Sequence, residues 1–355
     1  MLTRELTRCA AANGRLPYLS LVLILLLWGL PASAAPKTDT VIFKNGDKLT
    51  GEVKSLKRGR LSFDTDATGQ ISIEWDKVAG IISDQQIQVE TVNGVRYFGT
   101  LTSSEEDPSV IVETFNGPEL LDPKRVIVMS PIEGGGIHAL DVDLSVGYNF
   151  AKAGGIESGN FGINMDYRSL LRIESFSFST TLSDSDTQVE SKRTRASLEH
   201  TRLWKNRWFS NGNLTAEQND ELGLTLRTSI GGNVGRYLVQ SNSMLWSLEA
   251  GMQVAREDLI SEPEDVDSLE ATFALKWDWF LFQNPELDWS TDIQIYPSLT
   301  ENGRIRGEAN TSLSWEIIGD LKWGVAIYSS FDNQPQSSTG STSDYGVNTT
   351  VTYDF

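Results

Sequence analysis

Residues 140–150 read L-D-V-D-L-S-V-G-Y-N-F. Leu140, Val142, Leu144, Val146, Tyr148 and Phe150 take every second position, with Asp141, Asp143, Ser145, Gly147 and Asn149 between them. A period of two belongs to a β-strand, whose successive side chains point to opposite faces. One apolar and one polar face make it a strand with a single side out of water. The alternation recurs to the end of the chain. Further apolar faces run through Phe161, Ile163, Met165 and Tyr167; Phe176, Phe178, Thr180 and Leu182; Leu222, Leu224, Leu226 and Ile230; and Trp246, Leu248, Ala250, Met252 and Val254. They continue through Leu269 to Trp279, Trp289 to Ile295, Ile305 to Trp315, Leu321 to Phe331, and Tyr345 to Phe355. Two weaker strands, at 193–202 and 208–216, complete a set of twelve.

A soluble sandwich alternates too, so the charges on the polar faces (Arg227, Lys276, Asp278, Asp292, Arg306 and Glu308) do not decide between sandwich and barrel. The connections and the tryptophans do. Even-to-odd turns are mostly short, as at Gln283-Asn284-Pro285-Glu286, and odd-to-even connections are mostly longer and acidic, as at 256–267 and 332–344. Short turns on one side and longer loops on the other mark outer-membrane barrels. All eight tryptophans of the region, Trp204, Trp208, Trp246, Trp277, Trp279, Trp289, Trp315 and Trp323, fall at the short-turn ends of their strands. An indole favours the headgroup zone, where its ring is apolar and its N–H stays wet, so they are expected to form an interfacial belt. The six charges are then expected to face the lumen and to pair with one another.

Ahead of this region, residues 41–51 (V-I-F-K-N-G-D-K-L-T-G) align with 89–99 (V-E-T-V-N-G-V-R-Y-F-G) at a shift of 48. The shift holds without a gap through Gly69 and Gly117, Lys77 and Arg125, and Val78 and Val126, which is the mark of a duplication. Asn-Gly between β-prone runs predicts a type I′ hairpin in each copy. Gly51 and Gly99 predict a bend in the following strand. Short strands at 60–64, 70–75 and 78–82 complete a small closed barrel, with Trp75 in its core. In the second copy Pro123 replaces that tryptophan, in what reads as a plain solvent turn. The pattern resembles the Sm-like barrel, but the RNA-binding residues of that family are not recognisable here, and its function is not carried over.

The N-terminus reads as a secretory leader. Arg4, Arg8 and Arg15 precede an apolar run from Leu19 to Leu30, and Ala32-Ser33-Ala34 fits a cleavage site. Cys9, the one cysteine, lies inside the leader. The resulting organisation is a signal peptide at 1–34, small barrel repeats at 35–84 and 85–132, a Gly-rich linker at 133–137 and a twelve-stranded barrel at 138–355. Length, at 355 residues, allows two or three domains, and a hydrophobic content of 39% excludes a disordered chain. A mean hydropathy of -0.25 excludes a polytopic helical membrane protein. A net charge of -18 argues against nucleic acid, whose phosphates call for Lys and Arg.

The chain ends Thr352-Tyr353-Asp354-Phe355. A terminal Phe on an alternating strand resembles the signal read by the barrel-assembly machinery, with Tyr353 and Phe355 as its residues. Leader, tandem Asn-Gly barrels and this C-terminal domain together resemble the salt-induced outer membrane proteins, a domain-of-unknown-function family. The resemblance covers 138–355 best and implies an outer-membrane location with no established activity.

A search for chemistry finds little. His138 lies at the linker and His200 in a weak strand, with no nucleophile signature beside them. No Cys/His cluster, P-loop or dinucleotide fingerprint appears. Glu257, Asp258, Glu262, Glu264, Asp265 and Asp267 crowd one connection without ordered ligand spacing, and read as a solvated acidic loop. No catalytic, cofactor or metal residue is assigned, and no enzyme is expected. The expected partners are outer-membrane lipid, the assembly machinery, and a periplasmic protein or peptidoglycan met through 39–131. A structural or osmotic-adaptation role leads, and a narrow channel is the alternative.

Overall fold

The computed structural model describes residues 37–103, 109–132, 140–151, 156–185, 188–220, 223–259, 265–282, 285–318, 321–335 and 342–353. The leader, Cys9, the linker with His138, Leu222, Glu262, Glu264, and Asp354 with Phe355 lie outside them.

The N-terminal strands are β1 (Asp39–Phe43), β2 (Lys48–Lys57), β3 (Arg60–Thr65), β4 (Gly69–Glu74), β5 (Val78–Thr91), β6 (Arg96–Thr102), β7 (Val110–Thr114), β8 (Gly117–Leu121) and β9 (Val126–Pro131). They form one sheet in the order β4-β3-β2-β1-β5-β6-β7-β8, with β9 on β2 and β5. The duplication is visible in the registers. Val41 faces Leu49 as Val89 faces Tyr97, and Thr40 faces Ile82 as Gln88 faces Ser130. Each copy carries a 3-10 turn at the same place, Trp75–Lys77 and Pro123–Arg125. The boundary between copies falls inside β5, and the copies share one core that runs from Val41, Phe63 and Trp75 to Val89, Val112 and Met129.

Two local readings differ from the structure. Only the glycines of the Asn-Gly turns have positive φ, Gly46 at 91° and Gly94 at 73°. Gly46 N–H donates to Phe43 and Phe43 N–H to Asp47, so each hairpin is a three-residue loop with one left-handed residue, where type I′ needs two. The two-residue turn with positive φ at both positions is Arg58-Gly59, at 52° and 74°. Pro123 is no plain solvent turn, because the buried Trp75 indole donates to its carbonyl at 2.7 Å and so ties the two copies at equivalent positions. At Gly51 and Gly99, where a bend is expected, the neighbouring strand runs too close for a side chain: a Cβ would lie 2.5 Å from the Asp64 carbonyl oxygen at Gly51, and 2.0 Å from that of Glu113 at Gly99.

The C-terminal strands are β10 (Leu140–Ala151), β11 (Ile156–Arg168), β12 (Arg172–Ser185), β13 (Gln188–Leu203), β14 (Trp208–Asn219), β15 (Leu224–Gln240), β16 (Met244–Leu259), β17 (Val266–Leu281), β18 (Leu287–Pro297), β19 (Ile305–Ile318), β20 (Leu321–Asp332) and β21 (Ser343–Tyr353). They pair antiparallel in sequence order, each with the next. Their burial is inverted relative to a soluble sheet. Ile230 is 63% exposed beside Ser229 at 8%, and Met252 is 56% exposed beside Gln253 at 6%. The apolar face looks outward and the polar face inward. Arg195 of β13 meets Glu308 of β19 at 3.0 Å. Strands six places apart in the ladder touch only if the sheet is rolled and their polar faces meet across its interior, as in a barrel.

Among the described residues the ladder ends at β10 and β21, and no register joins them. Each has a neighbour on one edge only, which leaves Val146 and Tyr345 strongly exposed. The alternation also breaks once within the expected set. Leu224 is 2% exposed and Leu226 46%, because a bulge between them turns Leu224 inward. The expected loop at 256–267 is strand at both ends, since β16 runs to Leu259 and β17 starts at Val266.

Candidate functional site

Two features stand out: what fills the barrel and what closes its short-turn end. The lumen holds an ion-pair lattice. Glu257, taken from sequence as part of a solvated loop, is 1% exposed and sits between Arg227 at 2.9 Å and Arg304 at 3.1 Å. Arg304 also holds Asp332 at 2.6 Å and Glu301 at 3.0 Å. Arg306 grips Glu270 at 2.7 Å through two nitrogens. Asp265 pairs with Arg256, and Asp258 and Asp267 belong to strands.

All six lumen charges lie on the inner face, but the pairing expected among them is not what forms. Arg227 holds Glu257, Arg306 holds Glu270, Glu308 holds Arg195, and Asp278 accepts from the Ser290 hydroxyl at 2.5 Å. Lys276 and Asp292 stand opposite each other in the β17–β18 register. The stagger of a rolled sheet chooses these partners, and it draws in Glu257 and Arg304 from strand ends that read as loop. Beside Asp292 an open cavity of about 170 Å³ is lined by Ser290, Asn310, Ser312, Tyr328 and Asn348. Toward the short-turn end, buried Leu203, Phe209 and Phe280 replace polar side chains on the inner face. Phe209 packs on Tyr237 with ring centroids 4.6 Å apart.

The N-terminal module is docked on that end. From the first copy, Arg58 pairs with Asp288 at 2.6 Å and lies 4.4 Å over the Phe280 ring. Arg60 pairs with Glu286 and lies 4.0 Å over Phe282. Gly59, between them, admits no side chain, since a Cβ would stand 2.5 Å from the Asn242 carbonyl oxygen. Asn242 in turn donates to the Val126 carbonyl at 2.8 Å. From the second copy, Arg96 donates to the Trp204 carbonyl, and buried Glu90 holds Arg96 and Arg168, each at 3.2 Å. The non-glycine residues with positive φ among the described residues are Arg58, Asn206 and Arg207. All three sit at this junction, and strained backbone concentrates where surrounding contacts over-determine it. Partial burial pushes the Glu286 carboxyl up, but the Lys322 ammonium at 3.0 Å and the Arg60 guanidinium outweigh it and hold it below its ordinary value.

The eight tryptophans lie around the same end. Trp246 faces Trp277, Trp279 faces Trp289 and Trp315 faces Trp323 across neighbouring strands. Trp204 and Trp208 flank the turn that touches the second copy. His200 is on the outer face, bonded to Glu174 at 2.7 Å. Among the described residues no His, Cys, Asp or Glu group is arranged to hold a metal ion. The sequence reading missed the junction entirely. Its one signal was Arg58-Gly59-Arg60, a two-residue turn flanked by cations between two short strands.

A family model described as protein of unknown function, DUF481, matches residues 145–355. The chain belongs to the DUF481 family. The DUF481 match begins inside β10 and covers every later strand, so the small barrels and their junction lie ahead of it. No curated protein matches the chain.

Proposed function

We propose that this DUF481 protein is an outer-membrane barrel with a sealed lumen, which carries its tandem β module as a rigid cap on the periplasmic rim. The observation that carries the reading is the junction: two arginines stacked on the barrel's own aromatic residues, beneath a lumen crossed by ion pairs. Three features support the membrane assignment. The outer face is apolar, the inner face is polar, and the tryptophans gather at one end, where they would meet the headgroup zone. The short-turn end faces the periplasm in such barrels, which puts residues 39–131 there. The role is structural, in envelope or osmotic adaptation, with the module docking a periplasmic protein or peptidoglycan. Lipid and the barrel-assembly machinery are the other partners, and no covalent chemistry is assigned.

The open cavity beside Asp292 favours a second reading, a narrow channel. Fractionation and conductance test both. Heat-modifiable protein in the outer membrane, protease-resistant at 39–131 in intact cells and silent in planar bilayers, supports the capped barrel. Stepwise conductance supports the channel, and a soluble periplasmic protein refutes both.

A further inference from the structure

The duplicated copies differ at their surfaces, mostly in one direction: Ile82 is the exposed large apolar residue of the first copy among the described residues, and its counterpart is Ser130. Four exposed positions of the second copy are apolar: Val95, Phe98, Phe115 and Leu120. Their counterparts 48 residues earlier are Asp47, Thr50, Ala67 and Ser72, all exposed and none of them large and apolar. Phe115 keeps its entire side chain in the open at the tip of the β7–β8 hairpin. The β6–β7 register sets Gly99 opposite Thr114, so Phe98 and Phe115 are each the next residue along from a paired position.

This strip starts at the tryptophan belt. Arg96, two residues before Phe98 on the same face of β6, bonds the Trp204 carbonyl, and Gly94 abuts Arg207. The second copy sits there, while the first sits at the 280–288 connection. The adjoining rim is cationic in a chain of net charge -18. Arg172, Arg202, Lys205 and Arg236 are exposed, with Arg202 over Trp204 at 4.8 Å and Arg236 over Trp208 at 5.6 Å. Aromatic and aliphatic side chains beside exposed cations match the boundary between phosphate headgroups and acyl chains.

Building on the outer-membrane reading, we propose that the Val95–Phe98–Phe115–Leu120 strip of the second copy rests on phospholipid of the periplasmic leaflet. The module then has a lipid-facing copy and a water-facing copy.

The test uses the full chain with Cys9→Ser, which leaves no other cysteine. Phe115→Cys, Ala67→Cys and Val325→Cys are made singly and labelled with an environment-sensitive fluorophore. Each is reconstituted in phosphatidylethanolamine/phosphatidylglycerol vesicles with and without brominated lipid. The expected result is loss of fluorescence in brominated vesicles at 115 and 325, with none at 67. If 325 is quenched and 115 behaves like 67, the strip faces water, and the proposal fails while the membrane reading stands. A label at 115 that is shielded from aqueous iodide yet untouched by brominated lipid marks a protein contact and also overturns the proposal. No quenching at 325 in folded protein removes the membrane reading itself.

Discussion

Glu257→Gln is the sharpest probe of the sealed lumen. The carboxylate is 1% exposed and neutralises Arg227 on one side and Arg304 on the other. Removing one partner of a buried ion pair costs roughly 3–5 kcal/mol, because the other charge is left desolvated. The two arginines are not equally stranded. Arg304 keeps Asp332 at 2.6 Å and Glu301 at 3.0 Å, whereas Arg227 keeps a longer contact, with Glu217 at 3.9 Å. Arg227 is the less compensated guanidinium, which sets the expected loss near the lower end, about 3 kcal/mol. At about 1.4 kcal/mol per tenfold, the unfolding equilibrium shifts by roughly two powers of ten. Urea titration of the barrel refolded in vesicles, followed by tryptophan fluorescence, should show a lower midpoint at unchanged slope. Adding Arg227→Met should recover most of the loss, because removing both charges is far cheaper than removing one. A loss under about 0.5 kcal/mol, the size of an ordinary surface change, would mean that water reaches the pair. The sealed-lumen reasoning would then be wrong, and the channel reading would gain.

Further tests address the junction and the membrane face. Arg58→Ala with Arg60→Ala removes two part-exposed ion pairs, each worth up to about 1 kcal/mol, and two cation–π contacts of roughly 0.5–1 kcal/mol. Amide exchange at residues 57–60 should rise by about one to two powers of ten while β14–β19 stay protected, and unchanged exchange refutes the latch. The lowered Glu286 carboxyl stabilises the docked state above its ordinary titration range, and that contribution is lost as pH falls through its folded value. Limited proteolysis between module and barrel should therefore quicken below about pH 4, and a Glu286→Gln chain should lose the dependence. Ile293→Arg or Val325→Arg should cost roughly 2–4 kcal/mol in lipid while Gln294→Arg costs much less; equal penalties would reverse the assigned faces. Trp75→Phe should cost about 1 kcal/mol by removing the indole hydrogen bond to the Pro123 carbonyl, which keeps the bond from the Val126 N–H of the 3-10 turn, read as a lower thermal midpoint.

What was legible from residue order is what neighbouring residues decide among themselves. A period of two needs no partner strand, so twelve strands, their apolar faces except at the Leu224 bulge, and the short-turn position of every tryptophan could be read from Leu140 onward. The duplication was legible for the same reason, since a constant shift of 48 keeps both 3-10 turns in step. Hairpin type was less so. Asn-Gly admits more than one loop, and strand stagger chose the three-residue form there and the tighter turn at Arg58-Gly59. Partner choice across space was not legible at all. Glu257 and Glu262 look alike in an acidic run, and only the roll of the sheet turns Glu257 toward Arg227 and Arg304. Arg195 and Glu308 are 113 residues apart and meet because strands six places apart close on one lumen. The junction belongs to the same class: nothing local distinguishes Arg58 from any surface arginine until folding sets Asp288 and the Phe280 ring in front of it. Alternation is a property of one strand, whereas pairing and docking depend on the curvature and stagger that all the strands set together.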